Sequence, residues 1–326
     1  MKKLFWFVLI INVFFLFDCG RDDSGLYTIG VFQVNDAPTL NTARSGFIQA
    51  LEDGGLRDGV NVSLIKKNAY GDIVEVQRIA QEFVSRKVDM IVPFSTPCLQ
   101  ASLHVTRDIP IIFSSVANPY RAGAGSSPDE HLENVTGISS LGPIRQSLSF
   151  IKEVLPGTKR VGTLWTPSEV NSEYYLELAR ERAAEIGMQI VDVPIANASE
   201  VLWSAQMLLN KNIDVIYQIS DNTINEAFEA VGQVANENTI PLFGGFLLSV
   251  RQGACAALGW DFFKMGYHAG EIALRVKAGE KPGDIPFHYM EEVKMVINLD
   301  AAEDQGVEFP PEILNRADEI ITQNER

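Results

Sequence analysis

Short β-rich runs alternate with helical patterns along this chain, and the alternation occurs twice in the same order. That rhythm constrains the fold most, because strand–helix–strand units build parallel sheets covered by helices on both faces. In the first series Tyr27–Val34, Val62–Lys66, Val88–Phe94 and Ile109–Ser114 read as strands. A helix near Thr42–Asp53 puts Phe47, Ile48 and Leu51 on one face, and another over Val74–Arg86 turns Ile79, Ala80 and Phe83 inward. The second series has strands at Arg160–Trp165, Gln189–Val193, Ile213–Ile219 and Ile240–Phe243. Its helices read over Glu173–Ile186, stopped by Gly187, and over Glu200–Leu209.

The two series superpose. Ile29-Gly30-Val31 matches Val161-Gly162-Thr163, Val88-Asp89-Met90-Ile91 matches Ile213-Asp214-Val215-Ile216, and Ile109-Pro110-Ile111-Ile112-Phe113 matches Ile240-Pro241-Leu242-Phe243. Three matches in one order at nearly constant spacing point to duplicated α/β lobes, the alternative being a single large doubly wound sheet. With 326 residues, 46% of them hydrophobic, the chain is long enough to build two cores.

Composition then excludes several functions. Lys and Arg number 27 against 42 Asp and Glu, a formal net charge of −15. Nucleic-acid binding needs a basic footprint, so no nucleic-acid partner is expected. Three cysteines and four scattered histidines give no metal-ligand spacing, and no metal or cofactor is expected. No Gly-x-Ser-x-Gly elbow, Walker-type loop or strand-borne Gly-x-Gly-x-x-Gly occurs, so the chain does not read as an enzyme.

Lys2 and Lys3 precede an apolar run from Leu4 to Phe17 that is shorter than the roughly 20 residues of a membrane-spanning helix. Residues 1–18 therefore read as a secretory signal peptide and 19–25 as a polar tether. Leu16-Phe17-Asp18-Cys19-Gly20 resembles a bacterial lipobox with Cys19 as the lipidated residue, although Asp18 stands where that pattern has a small residue. The alternative is an ordinary signal peptide with an incidental Cys19. Either reading places the mature chain outside the cytoplasmic membrane, in the periplasm or at the cell surface, with Cys19 as its lipid anchor in the first.

Ligands of open α/β sheets bind beyond the C-terminal strand ends, where loops feed helix N-termini. In the first lobe those ends carry Gln33 and Asp36, Ser95 and Thr96, and Ser115 and Asn118. In the second they carry Trp165, Glu169, Asn171 and Ser172, then Asp221 and Thr223. Hydroxyls, amides and carboxylates there can hold a polar ligand, and the same residue types also cap helices. Facing rims on two lobes favour a ligand cleft. Cys98 and Cys255 read as unreactive.

Several segments resemble the substrate-binding lipoproteins of bacterial ABC importers, in the family with aromatic-amino-acid-binding members. They include Gly46-Phe47-Ile48-Gln49-Ala50-Leu51, Asn134-Val135-Thr136-Gly137-Ile138-Ser139, Glu169-Val170-Asn171-Ser172, Ser220-Asp221-Asn222-Thr223 and Gly259-Trp260-Asp261-Phe262-Phe263-Lys264-Met265-Gly266. The resemblance implies a type I-like periplasmic-binding-protein fold, with two Rossmann-like lobes joined by hinge strands near Gly137–Leu141, Leu258–Asp261 and Tyr289–Val293. Lobe I is then 26–138 plus 261–290, and lobe II 139–260 plus 291–326. It further implies a monomer that captures a small molecule and delivers it to an ABC permease; a sensory protein reporting occupancy to a membrane kinase or chemoreceptor is the alternative.

The family commonly carries carboxylates where this chain has Asn118 and the loop Gly244–Ser249, whose Phe246-Leu247-Leu248 is apolar. Fewer carboxylates predict a ligand more neutral or apolar than a free amino acid, with Phe246 against it. The alternative is that Asp36, Glu169 or Asp221 takes the amine.

Overall fold

A computed structural model describes residues 25–322. The signal peptide, Cys19 and all but the last tether residue lie outside them. In chain order the first half runs β1 (Tyr27–Gln33), α1 (Pro38–Asp53), β2 (Val62–Asn68), α2 (Ile73–Ser85), β3 (Met90–Phe94), α3 (Thr96–Val105), β4 (Ile111–Val116) and β5 (Val135–Ser139). The second runs α4 (Ile144–Val154), β6 (Arg160–Trp165), α5 (Val170–Glu185), β7 (Gln189–Pro194), α6 (Val201–Leu209), β8 (Val215–Gln218), α7 (Asn222–Glu226), α8 (Phe228–Glu237), β9 (Leu242–Gly244) and β10 (Ala256–Gly259). The chain ends with α9 (Phe262–Lys277), β11 (His288–Tyr289), β12 (Lys294–Asn298), α10 (Leu299–Asp304), α11 (Pro311–Leu314) and β13 (Glu319–Ile321).

Two sheets result, ordered β2-β1-β3-β4-β5-β11 and β7-β6-β8-β9-β10-β12-β13. Their first five positions match strand for strand, so the sequence repeat is a structural repeat, and one undivided sheet is excluded. Pairing is parallel except between β10 and β12. β3, β4 and β5 are buried along their whole length, as expected of strands covered on both faces.

The matched dipeptides have matched jobs. Asp89 accepts from Thr28 N–H at 2.7 Å, and Asp214 accepts from the N–H groups of Lys159 and Arg160, each at 2.8 Å. Each aspartate thus clamps the entry of the first strand of its sheet. The carbonyls of Pro110 and Pro241 likewise accept from Ile91 N–H at 2.9 Å and Ile216 N–H at 2.8 Å. Because Val88-Asp89 and Ile213-Asp214 serve as these clamps, the ladders begin at Met90 and Val215, two residues later than the apolar runs alone predict.

The chain passes between sheets three times: after β5, after β10 and between β11 and β12. Trp260 Nε1 donates to Leu141 O at 2.8 Å, tying the first two crossings together. α1 and α9 cross in direct backbone contact: a Cβ on Gly266 would lie 1.7 Å from Ala43 O, and one on Gly46 2.0 Å from Phe263 O. That close approach fixes the first turns of α1 and α9, which reach the gap between the sheets. Among the described residues no helix is long and apolar enough to cross a membrane.

Candidate functional site

The strand ends of the two sheets face each other across a narrow cleft that leaves about 20 Å³ free, room for about one water. From the first sheet and its helices come Thr39, Leu40, Ser115, Ala117, Ser140 and Phe262. From the second come Asn171, Tyr175, Ser220, Asn222 and Asn225. None of these side chains is charged. Hydroxyls and amides therefore set the polarity, and Leu40, Phe262 and the ring of Tyr175 supply apolar surface.

Directly behind this wall lies a carboxylate network. Glu169, 4% exposed, precedes α5 but bonds to α7. Its Oε2 accepts from Asn222 Nδ2 at 2.6 Å, Asn222 N–H at 3.2 Å and Asn171 Nδ2 at 2.9 Å. Its Oε1 accepts from Thr223 Oγ1 at 2.7 Å and Thr223 N–H at 3.1 Å. Asp221, 1% exposed, caps the same helix by accepting from Ile224 N–H at 2.9 Å. It also accepts from Thr166 N–H at 2.9 Å and Thr166 Oγ1 at 3.1 Å, joining the β6 and β8 loops. Burial, then the charge of Glu169, pushes the Asp221 carboxyl up to about 7.

Asn171 is 5% exposed, and its Oδ1 has no hydrogen-bond partner. Its Nδ2 is committed to Glu169, so the amide is oriented with its acceptor free at the cleft wall. On the opposite sheet Thr96 Oγ1, at the start of α3, and Ser114 Oγ are also buried without partners. Ser95, just after β3, and Ser115, the penultimate residue of β4, have φ of 120° and 58°, sterically costly for residues with a Cβ. Both strained serines lie at the cleft-facing edge of the first sheet.

The halves touch across the cleft. Asn35 Nδ2 donates to Asn222 O at 2.8 Å and Glu226 Oε2 at 3.0 Å. Arg121 pairs with Glu177 at 2.6 and 3.1 Å and lies 4.7 Å above the Tyr174 ring.

Of the residues picked from the sequence, Ser115 and Asn171 line the cleft, and Glu169, Ser172, Asp221 and Thr223 form the layer behind it. Ser95 and Thr96 sit at the β3–α3 junction. Gln33 is buried among Asn35, Asn41 and Arg44. The remaining four are drawn elsewhere by local bonding. Asp36 is exposed and accepts from Asn68; Asn118 caps the turn at Tyr120 and Arg121. Trp165 donates its indole N–H to Asp192 at 2.9 Å. Phe246 is 1% exposed and meets Phe228 edge-on, so it belongs to the core rather than to a ligand wall.

Sequence reasoning missed Thr39, Leu40, Ser140, Tyr175, Asn225 and Phe262 as lining residues. Tyr175 follows Asn171 by one helical turn, a same-face spacing that could have marked it. Burial pushes the thiols of Cys98 and Cys255 up to about 12, so neither is a ready nucleophile. Among the described residues no cluster of three or more His, Cys, Asp or Glu is arranged to hold a metal.

Comparison with known proteins is consistent across sequence and structure. The family model described as ABC transporter substrate binding protein matches residues 28–321. A tyrosine-binding protein of Clostridioides difficile (strain R20291) is 39% identical over 272 residues, covering 83% of this chain and 79% of that protein. A crystal structure from Streptococcus pneumonia, described as an ABC domain in complex with L-Trp, superposes with a TM-score of 0.86 at 27% identity, covering 91% of this chain and all of that one. The ligand-free, open structure of a substrate binding protein with adhesive properties from Clostridium difficile covers the same shares at higher identity, 32%, yet its TM-score is only 0.67. Two repeated α/β lobes, a polar uncharged cleft between them and a family match over nearly the whole described chain agree: the chain belongs to the ABC transporter substrate-binding protein family.

Proposed function

We propose that this chain is the extracytoplasmic receptor of an ABC importer and that it closes its lobes over an aromatic amino acid. The observation that carries this reading is Asn171, whose unpartnered Oδ1 faces the cleft while its Nδ2 is held by the Glu169 carboxylate. Such an acceptor, polarised from behind by an anion, suits the ligand ammonium group. Glu169 and Asp221 thereby take the place of the carboxylates that the family commonly carries where this chain has Asn118 and the Gly244–Ser249 loop, and an ammonium is accommodated.

The ligand carboxylate goes to the opposite wall, near the Thr96 and Ser114 hydroxyls and the N-terminus of α3, where backbone N–H groups favour an anion. Tyr175 and Phe262 offer ring faces for the side chain. The tyrosine-binding relative and the L-Trp complex support the same ligand class. The working unit is a monomer with lobe I at 26–138 plus 261–290 and lobe II at 139–260 plus 291–326, tethered through Cys19 and delivering its ligand to a membrane permease.

Thermal unfolding of the purified chain against a panel of amino acids, sugars and nucleosides tests the reading. L-Tyr, L-Trp or L-Phe should raise the melting temperature, since a ligand at about 100 times its Kd adds about 2.7 kcal/mol. A shift with sugars or nucleosides and none with aromatic amino acids would remove it.

A further inference from the structure

We propose that Asp221, buried beside the Glu169 carboxylate with no cation in reach, holds a proton in the unliganded protein and releases it to solvent when a ligand ammonium docks on Asn171. This inference rests on the aromatic-amino-acid reading and adds a proton to its binding equilibrium.

The geometry is specific. Both carboxylates are buried and aimed at the first turn of α7, Glu169 at Asn222 and Thr223 and Asp221 at Ile224. Every donor they meet is neutral: backbone N–H groups, the hydroxyls of Thr166, Ser172 and Thr223, and the amides of Asn171 and Asn222. Among the described residues no lysine, arginine or histidine bonds either one. Two buried anions without a cation repel each other and lose hydration, and a proton on Asp221 relieves both costs. Burial and the Glu169 charge raise the Asp221 carboxyl to about 7, within working pH.

The surrounding charges do not relieve the pair. Glu226 closes α7, raised by its own burial despite the Asn35 amide, and Asp36 of the facing loop adds negative charge. On α5, Glu173 lies in the first turn, and Tyr175 donates its phenol to Ser140 O, its pKa pushed far upward by burial. Arg44 of the facing lobe is engaged by Gln33, and Arg121 by Glu177. A ligand ammonium would therefore bring to this corner the positive charge that its side chains lack. It reaches the pair through one amide: Asn171 Oδ1 accepts from the ammonium, and Asn171 Nδ2 donates to Glu169. The ammonium stays protonated, and the pair gives up its proton because its ionised form is now favoured.

Isothermal titration of the purified chain with L-tyrosine, near pH 7 and in buffers of different ionisation enthalpy, reads the proton directly. Asp221 titrating at about 7 releases about half a proton per ligand, and affinity tightens about three- to tenfold between pH 6 and 8. Asp221→Asn and Glu169→Gln should bind with buffer-independent heat. If either variant fails to fold, the wild-type chain titrated with a tyrosine analogue lacking the amine gives the same control. Buffer-independent heat with L-tyrosine on the wild-type chain, or proton uptake instead of release, overturns the linkage and leaves the amino-acid reading standing. Absence of any binding by aromatic amino acids removes both.

Discussion

Asp221 shows how one side chain serves both the fold and the cleft. It satisfies Ile224 N–H and both donors of Thr166, so Asp221→Ala leaves buried donors unpaired and uncaps α7. Unliganded stability should fall by about 2–4 kcal/mol, measured by urea unfolding. Asn171→Ala removes a single donor to Glu169, which keeps those of Asn222 and Thr223. That variant should keep its unfolding midpoint nearly unchanged and lose about tenfold in ligand affinity, measured by titration. From sequence the two residues look alike, as polar groups at helix starts; the direction of their free atoms separates them.

Proton linkage also sets the sign of a stability profile. The folded-state pKa of Asp221 lies near 7 and its ordinary value is 3.8, so the folded chain binds the extra proton between those limits. Asp221 therefore adds stability as pH falls through about 7, and this gain is complete near pH 4. Unliganded melting temperatures should rise from pH 8 to pH 6 in the wild-type chain and flatten in Asp221→Asn. A saturating ligand ammonium cancels the trend, because its affinity gain as pH rises offsets the stability that the unliganded chain loses. A slope present without ligand and flat with it distinguishes this device from a general acid effect.

At the level of elements, much of the architecture is legible in the residues themselves. The Val-Asp and Ile-Pro segments mark matched strands because each aspartate clamps a neighbouring strand's N–H and each prolyl carbonyl anchors the next ladder. The cleft wall is less legible. Phe262, Thr39 and Leu40 owe their place to the α1–α9 crossing, which depends on three-dimensional approach. Trp165 and Phe246 misled for the complementary reason, since large aromatics near strand ends are as readily consumed by neighbours such as Asp192 and Phe228. The crossing itself is testable. Gly266→Ala would place a methyl 1.7 Å from Ala43 O, and backbone cannot yield as a side chain can. A loss of about 3 kcal/mol or more is expected, at or above the upper end of ordinary overpacking, with ligand affinity falling as the α1 and α9 turns separate.

Over the whole molecule, the proposed function is an equilibrium between two lobe arrangements, whose position is set by contacts between the lobes. Asn35 supplies the buried contact and Arg121–Glu177 an exposed one. Asn35→Ala should weaken ligand binding about five- to tenfold through loss of the bond to Asn222 O. Arg121→Ala should weaken it less, within about fivefold, and chiefly at low salt.

Solution X-ray scattering of the purified chain titrated with L-tyrosine or L-tryptophan tests the central claim most directly, because it reads lobe closure and occupancy together. The radius of gyration should fall saturably to a limit reached at one ligand per chain, with no response to myo-inositol. A scattering profile unmoved by millimolar aromatic amino acid would contradict it.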